Sequence, residues 1–186
     1  MKRFPPAPEP DGFDERCRRQ GGAWLQGNPP PKSPRDFWSP FKPQLADAFG
    51  CLCAYSCMFE PVGTVDHFLS CRDHRDSAYE WNNYRFASQW INSSKQRADD
   101  QVLDPFNVED DWFEILLPSL QLVVTNSVPP EHRERAEYTL SRLHLRDDER
   151  VIRQRAEWYR MYREGELSLE GLRRKAPLIA RAVDPP

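Results

Sequence analysis

Apolar positions along this chain change their spacing several times, and each change marks an element. Residues 1–33 have no period: Pro and Gly recur, punctuated by single aromatics at Phe4, Phe13 and Trp24. That pattern predicts an extended arm anchored by its aromatics, or a partly disordered one. Ser33-Pro34-Arg35-Asp36 has the form of a helix start, with Ser as cap and Pro at the first helical position. Pro40 and Pro43 interrupt, and a short helix is expected over 44–49, stopped by Gly50. Two strands follow, over 52–55 and 64–68, joined by a turn containing Pro61 and Gly63. Tyr84, Ala87, Ile91 and Ser94 recur at three-to-four spacing and predict a helix over 84–97. Leu103-Asp104-Pro105-Phe106 reads as a turn. Apolar runs at 112–116 and 120–124 flank Leu117-Pro118-Ser119 and predict a β-hairpin. After Pro129-Pro130 the composition becomes charged and helix-forming, giving helices over about 130–144, 147–164 and 168–182. Asp147 or its neighbour and Ser168 sit at cap positions, and Gly165 ends the middle helix. Ile152, Ala156, Tyr159 and Tyr162 give that helix a stripe to bury.

These elements define an α+β protein in three stretches: an N-terminal arm (1–33), a central core with its hairpin (34–128), and a helical extension of the same domain (129–186). At 186 residues the chain is long enough for one well-buried domain. It is polar overall, with a mean hydropathy of -0.80. Six Trp, six Tyr and ten Phe nevertheless allow a core built around aromatics, and eighteen Pro argue against an uninterrupted helical bundle. No apolar run approaches the roughly 20 residues that span a bilayer, and Met1-Lys2-Arg3-Phe4-Pro5-Pro6 lacks an apolar signal region. A soluble cytoplasmic protein without membrane contact is the expectation. A net charge of -3 argues against coating nucleic acid by bulk electrostatics, so any such contact must come from a local basic face. Five Cys, an odd number, argue against a disulfide framework.

The candidate chemistry lies in the centre. Val65-Asp66-His67-Phe68 is followed by Asn83 in Trp81-Asn82-Asn83-Tyr84-Arg85, then by Asn92 and Lys95 in Trp90-Ile91-Asn92-Ser93-Ser94-Lys95. Cleaving a phosphodiester needs an activated water, charge neutralisation at phosphorus and support for the leaving oxygen. Neutral imidazole can supply the first, and one divalent cation the other two.

An Asp-His pair leaving an apolar run, then an Asn, then a second Asn with Lys three residues on, resembles the HNH endonucleases over about residues 51–106. The resemblance implies a ββα-metal core and a metal-assisted phosphodiesterase acting on nucleic acid, with DNA as the first expectation. It makes His67 the general base and Asp66 and Asn92 the metal ligands. Asn83 then ties the loop together and so orients His67. Asp and Asn oxygens are hard donors suited to Mg²⁺ or Mn²⁺. Lys95 and Arg85 are expected to meet phosphate oxygens. Each residue also has a plainer reading: His67 as a satisfied histidine beside a strand end, Asn83 as a helix cap. Asn92 in a helix interior is poorly explained by propensity.

Many HNH proteins carry a zinc site built from two Cys pairs. Cys53-Ala54-Tyr55-Ser56-Cys57 sits where the first would be, with one residue too many between its cysteines. Ser88 and Ile91 occupy the neighbourhood of the second. Cys51, Cys53, Cys57 and Cys71 are therefore expected to be small buried apolar residues, with no structural zinc. In the extension, arginines interleave with acidic residues as on a solvated, ion-paired helical surface. Arg173-Arg174-Lys175 and the Arg153/Arg160 face are the best candidates there for contacts to a nucleic-acid backbone. His132 and His144 have no ligand partner. Two rival functions stay open. One is an HNH-like binding module whose catalysis is lost or needs a partner protein or a second copy. The other is a helical interaction protein docking through Leu169, Leu172, Ala176 and Ile179.

Overall fold

Two pairs of short antiparallel strands organise a chain that is otherwise helical and irregular, a mixed α+β arrangement. The computed structural model describes residues 1–185, apart from the side chain of Asp100; Pro186, the last residue of the expected extension, lies outside them. The helices are α1 (Gln20–Gly27), α2 (Lys42–Ala48), α3 (Gln89–Lys95), α4 (Pro130–Arg142), α5 (Glu149–Arg163), α6 (Leu169–Lys175) and α7 (Pro177–Val183). The strands are β1 (Thr64–His67), β2 (Tyr84–Ala87), β3 (Phe113–Leu116) and β4 (Gln121–Val124).

The arm is anchored by its aromatics as expected over its first residues, and departs from the expectation from Asp14 onward. Its first residues are extended, with Phe4 and Phe13 buried and the Trp81 indole donating to the Ala7 carbonyl at 3.1 Å. From Asp14 the backbone winds through a π-helical turn into α1. There Gly21 lies against Tyr79 so closely that a Cβ would sit 2.3 Å from the ring. Ser33-Pro34 starts no helix; winding begins at Ser39 and continues into α2. Gly50, with φ +60°, then turns the chain away.

Two expected elements of the core change. The segment 52–55 is not a strand, since only Leu52 bridges Phe59. Cys51 and Cys57 take positive φ (54° and 56°) and the Cys57 amide closes back on the Cys53 carbonyl, so the segment curls into buried turns. The partner of β1 is instead β2, in the register Thr64↔Ala87 to His67↔Tyr84. The first four residues of the expected 84–97 helix thus form a strand, because β1 claims their backbone groups. The helical spacing is real only from Gln89, and the helix ends where Gln96 takes φ +50°. The topology is β1, a sixteen-residue connection (68–83), β2, then α3 packed back on β1.

The hairpin forms as its pattern predicts, with Phe113 opposite Val124 and Leu116 opposite Gln121. In the extension, Asp148 caps α5 by accepting from the Arg150 amide at 3.0 Å, and Ser168 caps α6 through the Gly171 amide at 3.1 Å. The expected 168–182 helix is two: Pro177 forbids helical backbone at Ala176, whose φ of −150° breaks the axis. The buried residues of α5 are Val151 and Arg155, while Ala156 of the expected stripe is exposed. Arg155 is inside because its guanidinium donates to three carbonyls, Leu120 at 2.9 Å, Arg146 at 3.0 Å and Leu145 at 2.5 Å. Burial pulls its pKa down to about 10, so it stays charged at neutral pH. It fastens α5 to the hairpin and to the α4–α5 turn. Leu172, Ala176 and Ile179 are buried in the core, which removes the docking face proposed for the last helix. No helix among the described residues is long and apolar enough to cross a membrane.

Replacing Arg155 by Met should keep the stem but strand three buried carbonyls. We expect a loss of about 3 kcal/mol in urea unfolding, with the slope unchanged.

Candidate active site

The last two residues of β1 carry the candidate chemistry, and β2, α3 and the 68–83 connection each hold one part of it. Successive side chains on a strand point to opposite faces. Asp66 and His67 nevertheless both line one cleft of about 510 Å³, because it opens at the strand end. Asn92, on α3, lines the same cleft.

Asp66 is buried, and both carboxylate oxygens are engaged. Oδ2 accepts from the Tyr55 hydroxyl at 2.5 Å, and Oδ1 lies 3.2 Å from the Lys95 ammonium. Burial, and then the neighbouring carboxylate, push the Tyr55 phenol well above its usual range, so it remains a donor. Lys95 has no solvent exposure; it also donates to the His67 carbonyl at 2.8 Å and the Phe68 carbonyl at 2.9 Å. All three ammonium hydrogens have acceptors. The phosphate contact expected of Lys95 does not fit this position. Arg85 is likewise spoken for: it grips Asp104 with two bonds of 2.8 and 2.7 Å and donates to the Asn82 and Tyr84 carbonyls. Its guanidinium stacks 3.5 Å from the Phe106 ring centroid, so it braces β2 against the 104–106 turn rather than facing a phosphate.

His67 packs edge-on against Trp38, with ring centroids 4.5 Å apart, and against Tyr84 at 5.0 Å. Its Nε2 lies 2.9 Å from the Ala78 carbonyl. A carbonyl only accepts, so Nε2 carries the proton and Nδ1 is the bare, basic nitrogen. Desolvation lowers the imidazole pKa from the ordinary 6.5, the Ala78 bond opposing it.

Asn83 is not a helix cap. Its Nδ2 donates to the Leu69 and Ser77 carbonyls, both at 3.0 Å, and its Oδ1 accepts from the Leu69 amide at 2.8 Å. One carboxamide thus closes the 68–83 connection upon itself and sets the backbone next to Ala78, whose carbonyl holds His67. Asn92 donates to the Val65 carbonyl through Nδ2 at 3.3 Å, which leaves its Oδ1 without a hydrogen-bond partner among the described residues.

Asp66 and Asn92 are the oxygen donors that could hold a cation. Among the described residues there is no group of three or more His, Cys, Asp or Glu side chains able to hold a metal ion. Cys53 and Cys57 are buried in the core and Cys71 lies at the cleft edge. Sequence reasoning missed Tyr55, Trp38 and the cleft-lining Arg72 and Arg97. Nothing local links Tyr55 to Asp66, eleven residues on; the two arginines are signalled only by their nearness to the motif.

Lys95→Met should cost about 3–5 kcal/mol because it leaves the Asp66 carboxylate buried and unpaired. In a double-mutant cycle with Asp66→Asn the two losses should fall well short of adding, as measured by urea unfolding. The His67 ring proton should titrate below pH 6.5 by NMR. Between that lowered value and 6.5 the unfolded chain binds more protons than the folded one, so this contribution to stability is lost as pH falls through that window. No protein-family model and no curated protein matches this chain.

Proposed function

We propose that this protein is an HNH-type endonuclease, its β1–connection–β2–α3 unit serving as the ββα-metal core. The observation that carries the reading is the joint placement of four side chains. Asp66, His67 and Asn92 share one cleft, and Asn83 knots the connection that presents the Ala78 carbonyl to His67.

On this reading His67 accepts a proton from water at Nδ1, while its Nε2–H stays bonded to Ala78 and keeps the ring from turning. Burial favours the neutral ring that this step requires. Asp66 and Asn92 would hold one Mg²⁺ or Mn²⁺ through hard oxygens: Asn92 offers a free Oδ1, and Asp66 the lone pairs left beside its bonds to Tyr55 and Lys95. The chemistry such an ion supplies when bound is charge neutralisation at the phosphate and support of the leaving oxygen. Lys95 offsets part of the Asp66 charge, so ion affinity would be low and completed by substrate phosphate.

That same ion pair favours a second reading, an HNH-like module that binds nucleic acid and cuts only with a partner. The two readings part on one experiment. Supercoiled plasmid is incubated with Mg²⁺ or Mn²⁺, with chelator as control, using the wild type beside His67→Ala. We expect nicked or linear product, reduced by roughly 10²–10⁴-fold in the variant, as for loss of a general base. Cleavage that survives in His67→Ala would remove the assignment, and failure to cut DNA or RNA would select the binding module.

A further inference from the structure

The His67 cleft does not end at α3. A second cleft, of about 660 Å³, adjoins it, and the two share Ser93 and Gln96, so the exposed side of α3 is the ground between them. The far cleft is walled by residues of the helical extension: Arg142 at the end of α4, His144 in the turn, and Arg150 in the first turn of α5. Among the described residues no carboxylate lines it, in a chain whose net charge is -3. Arg142 has no carboxylate within ion-pair distance among the described residues. Its one bond is a 3.3 Å contact to the Lys95 carbonyl, and its Nε has no partner. Arg150 is ion-paired with Asp148 and lies over Trp90, its guanidinium carbon 4.2 Å from the ring centroid. On the near side of α3, the His67 cleft carries Arg72 and Arg97.

The sequence directs attention elsewhere in the extension, and those arginines are neutralised. Arg153 pairs with Glu149, and Arg160 with Glu157, Glu164 and Glu166. Arg173 pairs with Asp184. On either side of α3, Arg142 and Arg72 have no carboxylate within ion-pair distance among the described residues, while Arg150 and Arg97 keep Asp148 and Asp73 as partners.

We propose that the exposed side of α3 is the track along which the nucleic-acid strand leaves the His67 cleft, with Arg142 and Arg150 holding its phosphates and the Trp90–Arg150 stack supporting a base. The inference rests on the nuclease reading for the identity of the ligand, a phosphodiester strand. Its geometry rests on the two adjoining clefts. A helix is about 10 Å across, which three stacked nucleotides span at about 3.4 Å each. The far contacts therefore meet the strand about three nucleotides from the scissile phosphate. Guanidinium–phosphate contacts give affinity without reading sequence, and stacking tolerates any base. The helical extension would thus serve as the substrate-holding half of the site.

The test uses the full chain in the His67→Ala background, so that binding is read without cleavage. A fluorescent 12-nucleotide single strand is titrated by anisotropy at several salt concentrations, and Arg142→Ala/Arg150→Ala is compared with its parent. We expect affinity to fall at least tenfold and the slope of log affinity against log salt to become shallower by about 1–1.5. Arg153→Ala, on the same helix but lining neither cleft, should bind like the parent. If the double variant unfolds, Arg142→Gln/Arg150→Gln carries the test. Unchanged affinity and salt slope in a folded double variant would overturn the track, whatever the plasmid assay shows. Loss of binding in a protein that cuts nothing would keep the track and refute only the nuclease.

Discussion

A lysine ammonium shut away from water needs oxygen on every side, and Lys95 finds it in the Asp66 carboxylate and the carbonyls of His67 and Phe68. Those three acceptors belong to consecutive residues of β1 and its exit. The ammonium therefore fixes where the strand stops being a strand, and with it the directions in which Asp66 and His67 leave the backbone. It also pins the last turn of α3 to β1, while Asn92 pins the middle turn through the Val65 carbonyl. A buried charge pair contributes little net stability once desolvation is counted, but breaking it is costly. Its consequence here is geometric: helix and strand can meet in one register only.

Around that contact the molecule balances buried charge. The neighbouring Arg85–Asp104 pair is buried nearly as deeply, and Phe68 lies between its guanidinium and the Lys95 ammonium, 5.2 and 5.6 Å from the two. Two cations and two carboxylates in adjoining positions brace β1, β2 and the 104–106 turn without an exposed partner. His67, by contrast, sits among aromatic edges and touches a single backbone carbonyl. Structural charge on one side of the strand and a neutral, desolvated imidazole on the other is a division that suits proton abstraction. It leaves Asp66 in both camps, as a stabilising anion and as the one carboxylate among the described residues that lines the cleft.

The arm and the extension both support this centre. The arm supplies aromatic packing: Phe13 lies edge-on to both Trp81 and Tyr84, beside the ring that supports His67. The extension supplies charge, and its buried Arg155 ties α5 to the hairpin and the α4–α5 turn. Arg142 and Arg150 flank that turn and so are carried to the outer side of α3.

What was legible in the sequence was local. The hairpin, the caps at Asp148 and Ser168 and the stops at Gly50 and Gly165 depend on residues a few positions apart, and they appear where the pattern puts them. The motif Asp66, His67, Asn83, Asn92 was legible as a set of residue types in order. Its partners were not. Tyr84–Ala87 carries helical spacing yet forms a strand because β1 offers it a ladder. Lys95 and Arg85 read as phosphate-contacting cations and are buried because Asp66 and Asp104 lie across from them. Propensity and capping are decided within a turn or two of chain. Whether a charge faces water or a carboxylate depends on which distant segment the fold lays against it, and only the tertiary structure decides that.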